Sequence, residues 1–520
     1  NIYFLYKSIS LTVFIFISYL QIEATESINW LARLNEISNI DGAISELKSK
    51  IEIIQQQKYT ESLIKKSKYY PDIFEKIWHR ILFLLAKRKS LRFVKSEIER
   101  LEDLKAIPPH IHWEDLHHIV IIPHWKEPFK VLEDTMFRLK NVNYPTKKIT
   151  IVLAAEARDE DGIDKSHKLK EKFDKYFENI FITEHVMSEG DLIGKSSNMA
   201  FASKFIDQEV QKLNWNPKLT TITSCDADSQ LPEDYFSNLT YYYITDSDSE
   251  YKFYTGSVEL YANIWRLPFF ARVKNSMSTI YNVARLIRTD KLVPFSTYTT
   301  SFWLIKEIGF WSADIVPEDF HTFCKALFKF PGKVATVPLF QKILSDAAEG
   351  EGSIDTIKNN YFQERRWSWG ISDDGWIIKN IIRSLLNGTA TVRSTYIATH
   401  IVFDHISGVG LALLVSLGGN IPLLINPRFA NTVMGFNLPI VSSFIIQITL
   451  FFFLIMIILD SLLKPAPTGK VTFKKRILFV LEWLVQPITS ILLVTIPGFE
   501  AHTRLLFGKY LEYYLTKKKD

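Results

Sequence analysis

The sequence predicts an α/β domain with a mostly parallel sheet, joined to helices that span a membrane. Between residues 117 and 257, short β-branched segments alternate with helical patterns, which is typical of parallel strands connected by right-handed crossovers. Outside this region the apolar residues are gathered in long blocks. The mean hydropathy of +0.02 is therefore an average over two kinds of sequence.

The composition excludes several classes of protein. Hydrophobic residues make up 47% of the 520 residues and charged residues 23%, which are proportions of a folded chain rather than a disordered or collagen-like one. The net charge of +5 predicts no nucleic-acid partner, because that would require a clustered basic face. Cys225 and Cys324 are too few for a disulfide framework, which favours a reducing compartment.

The first predicted strand is the β-branched segment 117–123 (HHIVIIP), and a helical pattern follows over 126–140. Later segments with the same strand signal are 149–153, 180–183, 219–224 and 251–257. The preceding region, 30–115, is polar with helical spacing and predicts amphipathic helices. In an open parallel sheet, ligands bind beyond the carboxyl ends of the strands, so the residues after each strand are the first site candidates.

Three apolar blocks near the C-terminus predict contact with a membrane. Block 439–459 contains no charged residue and is long enough to cross a hydrocarbon core of about 30 Å as a helix. Block 401–425 is a second, Gly-rich candidate for a spanning helix. Block 477–496 is interrupted by Glu482 and Pro487, so we expect it to be kinked, re-entrant or interfacial.

The N-terminal block 2–22 has Lys7 as its only charge and is longer than the apolar part of a signal peptide, so we expect a spanning helix. The basic loop 464–476 predicts the orientation, because positively charged loops face the cytoplasm. The region before residue 395 is then cytoplasmic, at a bacterial-type plasma membrane. Folding block 477–496 back at Pro487 would also return the C-terminal tail to the cytoplasm.

Two pairs of acidic residues are candidates for chemistry. Asp226 and Asp228 directly follow segment 219–224, where two carboxylates could bind a hard cation together with substrate phosphates; a capped polar turn is the alternative interpretation. Glu318 and Asp319 lie among apolar residues, which suits a general base, although acidic residues also favour helix N-termini.

A third candidate is segment 363–369 (QERRWSW). Arginine supplies a fixed positive charge that suits a leaving diphosphate, and tryptophan offers a flat face for a sugar ring. An amphipathic helix at the membrane interface is the alternative interpretation, because Trp and Arg favour that level.

In this order, these segments resemble family 2 glycosyltransferases, especially the membrane-embedded cellulose, chitin and hyaluronan synthases. The resemblance covers about residues 115–370 and implies a GT-A fold, whose sheet is Rossmann-like and mostly parallel. Segment 120–127 (VIIPHWKE) is similar to the family's opening strand and nucleotide-binding loop, and segment 194–198 (GKSSN) to its motif near the donor. Gln363, Arg366 and Trp367 match the QxxRW motif of the polymer-forming branch.

The resemblance implies a role for each matching residue. Asp226 and Asp228 match the DxD motif that holds Mg²⁺ or Mn²⁺ against the nucleotide diphosphate, and Asp319, beside Glu318, matches the catalytic base. The implied acceptor-binding residues are Gln363 and Trp367. The implied donor-binding residues are Pro123, Glu127, Glu156, Lys195, Asn198, Asp226 and Arg366.

The chain departs from the family pattern at two places. Where the family often has Asp-Asp-Gly after its second strand, this sequence has Ala-Ala-Glu-Ala at 154–157, so Glu156 or Asp159 would replace the usual uracil-contacting aspartate. Segment 513–518 (YYLTKK) is only loosely similar to the gating loop of cellulose synthases, and a plain basic tail at the membrane is the alternative.

The implied function is an inverting, membrane-bound transfer of a sugar from a cytoplasmic nucleotide-sugar, expected to be a UDP-sugar, to a hydroxyl acceptor, extending a polysaccharide. The alternatives are a single transfer onto a polyprenyl phosphate or glycolipid, and an inactive membrane scaffold that binds nucleotide-sugars. The expected partners are thus the donor, a glycan or lipid acceptor and the bilayer. The predicted domains are 1–29 (spanning helix), 30–115 (helical linker), 116–370 (GT-A domain), 371–395 (interfacial helices) and 396–520 (membrane region and basic tail).

Overall fold

The computed structural model describes residues 2–56, 72–106, 111–417, 421–467 and 473–511. The chain divides into two compact units. One consists of Asn1–Ile28, Leu116–Leu239 and Glu250–Asp520, and the other of Asn29–Asp115 and Thr240–Ser249.

The strands and helices are numbered in chain order. The strands are β1 (His117–His124), β2 (Ile149–Glu156), β3 (Asn179–His185), β4 (Thr220–Ser224), β5 (Lys252–Glu259), β6 (Tyr298–Ser301) and β7 (Ala335–Leu344). The helices are α1 (Ile2–Glu26), α2 (Trp30–Ser38), α3 (Ile40–Gln56), α4 (Asp72–Ala106), α5 (Phe129–Lys140), α6 (Gly162–Phe173), α7 (Lys195–Lys212), α8 (Tyr235–Thr245), α9 (Phe269–Arg285), α10 (Phe302–Glu307), α11 (Glu318–Lys329), α12 (Ser353–Ser368), α13 (Asp374–Leu386), α14 (Val392–Leu417), α15 (Ile421–Ile425), α16 (Val433–Leu463), α17 (Phe473–Leu481), α18 (Gln486–Ser490) and α19 (Ile496–Leu506).

The seven strands form one mixed sheet in the order β3-β2-β1-β4-β6-β5-β7. The pairs β2–β3, β1–β2, β1–β4 and β5–β7 are parallel, whereas β6 is antiparallel to both of its neighbours. The predicted α/β class is confirmed, and each of the five predicted strands is present. The sequence did not predict β6 and β7.

The central strands are buried on both faces, which explains why their sequences are continuously apolar rather than alternating. Ile119 and Ile121 of β1 and Val152 of β2 are fully buried in one hydrophobic cluster. Met199 of α7 and Phe323 of α11 join the same cluster. These two helices begin at Lys195 and Glu318, so core packing fixes the positions of two candidate site residues.

The first part of α14 also belongs to this core, because its Ile397, Ala398 and Ile401 are buried in the same cluster. A second cluster joins α1, α9 and α16, with Ile15 and Ile280 among its buried residues. The apolar N-terminal helix therefore packs on the same helix, α9, that leads into the loop before β6.

Three helices in the described part of the chain are long and apolar enough to cross a membrane: Leu5–Glu26, Val433–Leu463 and Ile477–Leu506. Blocks 2–22 and 439–459 are thus confirmed as candidate spans. The predicted block 401–425 falls on α14 and α15 and is not among the three, and residues 418–420 within it lie outside the described residues.

The block around Pro487 is helical but irregular. Its hydrogen bonding changes from the α type in α17 to a 3₁₀ turn at Glu482–Val485, and to a π turn at Ile491–Thr495 before α19. The expected interruption at Glu482 and Pro487 is present. The prediction that this block folds back at Pro487 is wrong. Proline is tolerated in the first turn of a helix, and the chain remains helical on both sides of Pro487.

In the second unit, α2, α3 and α4 are three helices with mixed charge. Ile44 of α3 packs with Val94 and Leu101 of α4, and Arg100 forms an ion pair of 2.8 Å with Glu36. The predicted helical character of the polar region 30–115 matches these elements.

Candidate active site

The candidate active site lies at the carboxyl end of β4, where the chain leaves the sheet. Cys225 continues the ladder with a hydrogen bond of 3.0 Å from its N–H to the Ile121 carbonyl of β1. The next residue, Asp226, donates its N–H to Thr297 Oγ1 at 3.2 Å. Asp226 thus leaves the strand beside the residues that precede β6.

Five residues form what we call the carboxylate cluster: Lys195, Asp226, Ser296, Glu318 and Asp319. Lys195 Nζ, at the start of α7, lies 2.6 Å from Asp226 Oδ1 and 3.0 Å from Glu318 Oε1. It also donates to the Ser296 carbonyl at 3.0 Å. One ammonium therefore connects the end of β4, the loop before β6 and the start of α11.

Ser296 makes the second connection within the cluster. Its Oγ donates to Asp226 Oδ2 at 2.5 Å, and its backbone N–H donates to Asp319 Oδ2 at 3.0 Å. The residue has a φ of 60°, a left-handed conformation that aims both groups into the site. A single residue thus holds the predicted metal ligand and the predicted base in one arrangement.

Burial and the neighbouring charges determine the protonation of the cluster. Burial raises the pKa of Glu318 to about 7, although the Lys195 ammonium opposes the shift. Burial also raises the pKa of Asp319, against Lys195 and the N–H donors of Ser296 and Phe320. Burial would lower the pKa of Lys195, but Asp226 and Glu318 raise it well above its ordinary value, so Lys195 is charged.

Asp228 lies two residues beyond Asp226 and is buried. Its Oδ2 accepts the N–H of Asp346 at 2.9 Å, so the segment after β7 covers it. In the described part of the chain, no group of three or more His, Cys, Asp or Glu side chains is arranged to hold a metal ion. Two carboxylates nevertheless fit Mg²⁺ or Mn²⁺, because such ions commonly take one or two protein carboxylates and complete their coordination with substrate phosphates and water.

The predicted donor-binding residues of β1, β2 and α7 lie near the same sheet edge, but most of them have protein partners. Glu156 is buried at the end of β2 and forms ion pairs of 3.0 Å with both His185 and Arg158. Asn198 is buried and donates its amide N–H to the Ala154 carbonyl at 2.8 Å, which fixes α7 to β2.

The predicted donor-binding residues Pro123 and Glu127 lie at the end of β1 and in the loop that follows it. Pro123 is buried within β1, and the Glu127 carboxylate accepts the backbone N–H of Trp125. Asp159, the alternative to Glu156, accepts the N–H of Lys126 at 2.8 Å and thereby fixes this loop.

The QxxRW residues lie in the last turns of α12. Gln363 is buried, whereas Trp367 is 40% exposed. The ammonium of the buried Lys274 lies 4.2 Å from the Trp367 ring centroid and pairs with Glu364 at 3.1 Å. Trp367 therefore has one face against a cation and remains partly accessible, as a sugar platform requires.

Helix α12 is connected to the metal-ligand candidates through the segment after β7. Asn360 of α12 donates to the Ala348 carbonyl at 2.9 Å, two residues beyond the Asp346 that binds Asp228. Ser296, Lys274 and Asp346 were not predicted from the sequence, because no motif or spacing marks any of the three.

Residues 221–463 match the family described as glycosyl transferase family group 2. The resemblance to family 2 glycosyltransferases is thereby confirmed. This match begins in β4 and includes Asp226, Asp228, Asp319 and the QxxRW residues.

Two solved structures illustrate the similarity of this chain to known proteins. The mannosyltransferase PcManGT from Pyrobaculum calidifontis, in complex with GDP-Man and Mn²⁺, is 12% identical, with a TM-score of 0.43 over 76% of this chain and 88% of that one. S. aureus TarS 1–349 in complex with UDP-GlcNAc is 12% identical, with a TM-score of 0.35 over 76% of this chain and 93% of that one. No curated protein matches the sequence.

Proposed function

We propose that this protein is a membrane-bound inverting glycosyltransferase. It moves a sugar from a cytoplasmic nucleotide-sugar, a UDP-sugar, to a hydroxyl group of an acceptor glycan and so extends it. The observation that supports this proposal best is the carboxylate cluster, in which Ser296 and Lys195 each contact both a DxD carboxylate and the acidic start of α11.

Asp319 is the general base of the proposed reaction. It accepts the proton of the acceptor hydroxyl while that oxygen attacks the anomeric carbon, and the bond to the donor diphosphate breaks with its electron pair leaving on the diphosphate. A single displacement of this kind inverts the anomeric configuration. The N–H groups of Ser296 and Phe320, at 3.0 and 2.8 Å, fix the carboxylate, and its raised pKa strengthens it as a base.

The donor diphosphate lies beyond β4 in this proposal. Asp226 and Asp228 would hold Mg²⁺ or Mn²⁺, which supplies positive charge for the departing diphosphate. Arg366 adds a fixed charge there, and Lys195 keeps Asp226 and Glu318 in place. Gln363 and the half-exposed Trp367 bind the acceptor sugar.

Asp319→Asn tests the base directly. We expect transfer to fall by at least about a hundredfold, within the usual contribution of a general base, while calorimetric binding of the nucleotide-sugar stays within about twofold. Asp314→Asn is the matched control, because Asp314 is an exposed aspartate just before α11. Full transfer by Asp319→Asn would refute the base, and absence of turnover by the unmodified protein with every donor tested would favour the inactive scaffold.

A further inference from the structure

The carboxyl-terminal end of α13 and the start of α14 form a groove of about 740 Å³ that the proposed chemistry does not use. Apolar side chains dominate its lining, among them Leu385, Val392, Tyr396 and Phe403. All four are exposed, and Val392 is 91% exposed. Apolar side chains this open to solvent, and gathered along a groove, indicate a bound apolar partner.

Helix α13 extends this apolar surface beyond the groove. Ile378, Ile382, Leu385 and Leu386 are all exposed and follow helical spacing, so they lie on one face. An exposed apolar stripe on a helix suits contact with acyl or isoprenoid chains. The stripe shares Leu385 with the lining of the groove, so the two form one apolar surface.

The other end of the groove is polar and cationic. His400, which lines it, is hydrogen-bonded to Lys291 Nζ. Among the described residues, no carboxylate lies within ion-pair distance of Lys291. The nearby Asp404 pairs with His400 at 3.2 Å, and Asp290 pairs with Arg288 at 2.7 Å. Burial lowers the pKa of Lys291 to about 8, so an anion beside this ammonium would stabilise its charged form.

The loop from Lys291 to Ser296 leads from this cation to the carboxylate cluster. Five residue steps cover at most about 18 Å even when fully extended, which is the reach of a few sugar rings. A second connection runs through α14, where the His405 ring lies 5.5 Å from the Phe320 ring, next to Asp319.

We propose that this groove binds the chain of a lipid whose phosphate lies at Lys291, so that the acceptor is a saccharide carried on a phosphate-linked lipid. The inference rests on the proposed function, because the sugar hydroxyl of such an acceptor would be the group deprotonated by Asp319. The apolar lining accounts for the chain, and the ammonium of Lys291, which is not in a direct ion pair with any described carboxylate, accounts for the phosphate.

The test measures binding rather than transfer, so it is independent of the proposed chemistry. The full-length protein in detergent is titrated with farnesyl phosphate, farnesol and inorganic phosphate, with native mass spectrometry as the readout. We expect Lys291→Gln to weaken farnesyl phosphate at least about tenfold, which is the loss of a hydrogen bond to a charged group, and to leave farnesol unchanged. Lys204→Gln, at an exposed lysine of α7, is the matched control.

Thr399→Trp provides a second variant, because Thr399 lines the groove and is exposed enough to accept a large side chain. It should weaken both farnesyl phosphate and farnesol. The proposal is overturned if either variant binds farnesyl phosphate like the unmodified protein, if inorganic phosphate binds equally well, or if farnesyl phosphate does not bind. Asp319→Asn should still bind the lipid, which separates failure of this inference from failure of the proposed function.

Discussion

Ser296 offers the sharpest test of the site, because no sequence motif marks it and the structure gives it two contacts. Replacing it with glycine or alanine removes the hydroxyl that donates to Asp226 Oδ2 at 2.5 Å. Both replacements keep the backbone N–H that binds Asp319 at 3.0 Å. The variants should therefore disturb the predicted metal ligand while leaving the predicted base in position.

The size of the effect follows from the kind of hydrogen bond. A bond from a hydroxyl to a charged carboxylate contributes about 1.5–3 kcal/mol, and about 1.4 kcal/mol corresponds to a factor of ten. We expect apparent donor affinity to fall by about tenfold to a hundredfold. Glycine tolerates the φ of 60° better than alanine does, so an effect of backbone strain would separate the two variants and an effect of the lost hydroxyl would not.

The assay is transfer from a radiolabelled UDP-sugar in membranes, with the donor KM and kcat measured separately. Ser203→Ala is the control, because Ser203 is a buried serine of α7 whose hydroxyl donates to the Ala200 carbonyl at 2.9 Å. A donor KM unchanged in both Ser296 variants would refute the link between Ser296 and the donor site. A large difference between the glycine and alanine variants would assign the effect to the backbone.

Two further predictions concern charge. Asp226→Asn and Asp228→Asn should each remove the part of donor binding that depends on Mg²⁺ or Mn²⁺, so that calorimetry gives the same weak binding with metal or with chelator; binding that still responds to metal would contradict their assignment. Burial raises the pKa of Glu259, at the end of β5, from 4.5 to about 8, so the folded protein keeps a proton that the unfolded chain releases. The free energy of unfolding should therefore fall as the pH rises from about 4.5 to about 8, by up to about 5 kcal/mol. Thermal unfolding at about pH 4.5 and about pH 9 measures this fall, which Glu259→Gln should abolish. An equal fall in the unmodified protein and in Glu259→Gln would disprove the assignment.

The strands that could be predicted from the sequence are those whose own residues carry the signal. Strand β1 is a run of β-branched residues because both of its faces are buried. Strand β6 has only four residues. Its polar Thr299 is buried, and the hydroxyl of Thr299 is hydrogen-bonded to that of Thr223 in β4 at 2.8 Å. Strand β7 contains Pro338, which weakens the strand signal. Partners distant in sequence stabilise these two strands, so local patterns do not show them.

The candidate site likewise contains residues that could be predicted from the sequence and residues that could not. The proximity of Asp226 to Asp319 could be predicted, because the motifs resemble those of a family whose members bring the two positions into one site. Ser296 could not be predicted, since its contacts depend on a left-handed φ in a loop without a turn motif. The burial of Glu156 between His185 and Arg158 depends on β3 lying beside β2, which the sequence of either strand alone does not specify.

The charges of the candidate site affect where a cation and a phosphate can bind. In the carboxylate cluster, Lys195 faces Asp226, Glu318 and Asp319, so the cluster is already rich in negative charge before a diphosphate arrives. The proposed donor would bring further negative charge and would need a compensating cation, which Asp226 and Asp228 would hold in the proposed mechanism. An acceptor phosphate would meet the same repulsion near Asp319. Its binding at Lys291 instead would keep the two anionic groups apart and bring only the neutral sugar hydroxyl to the base.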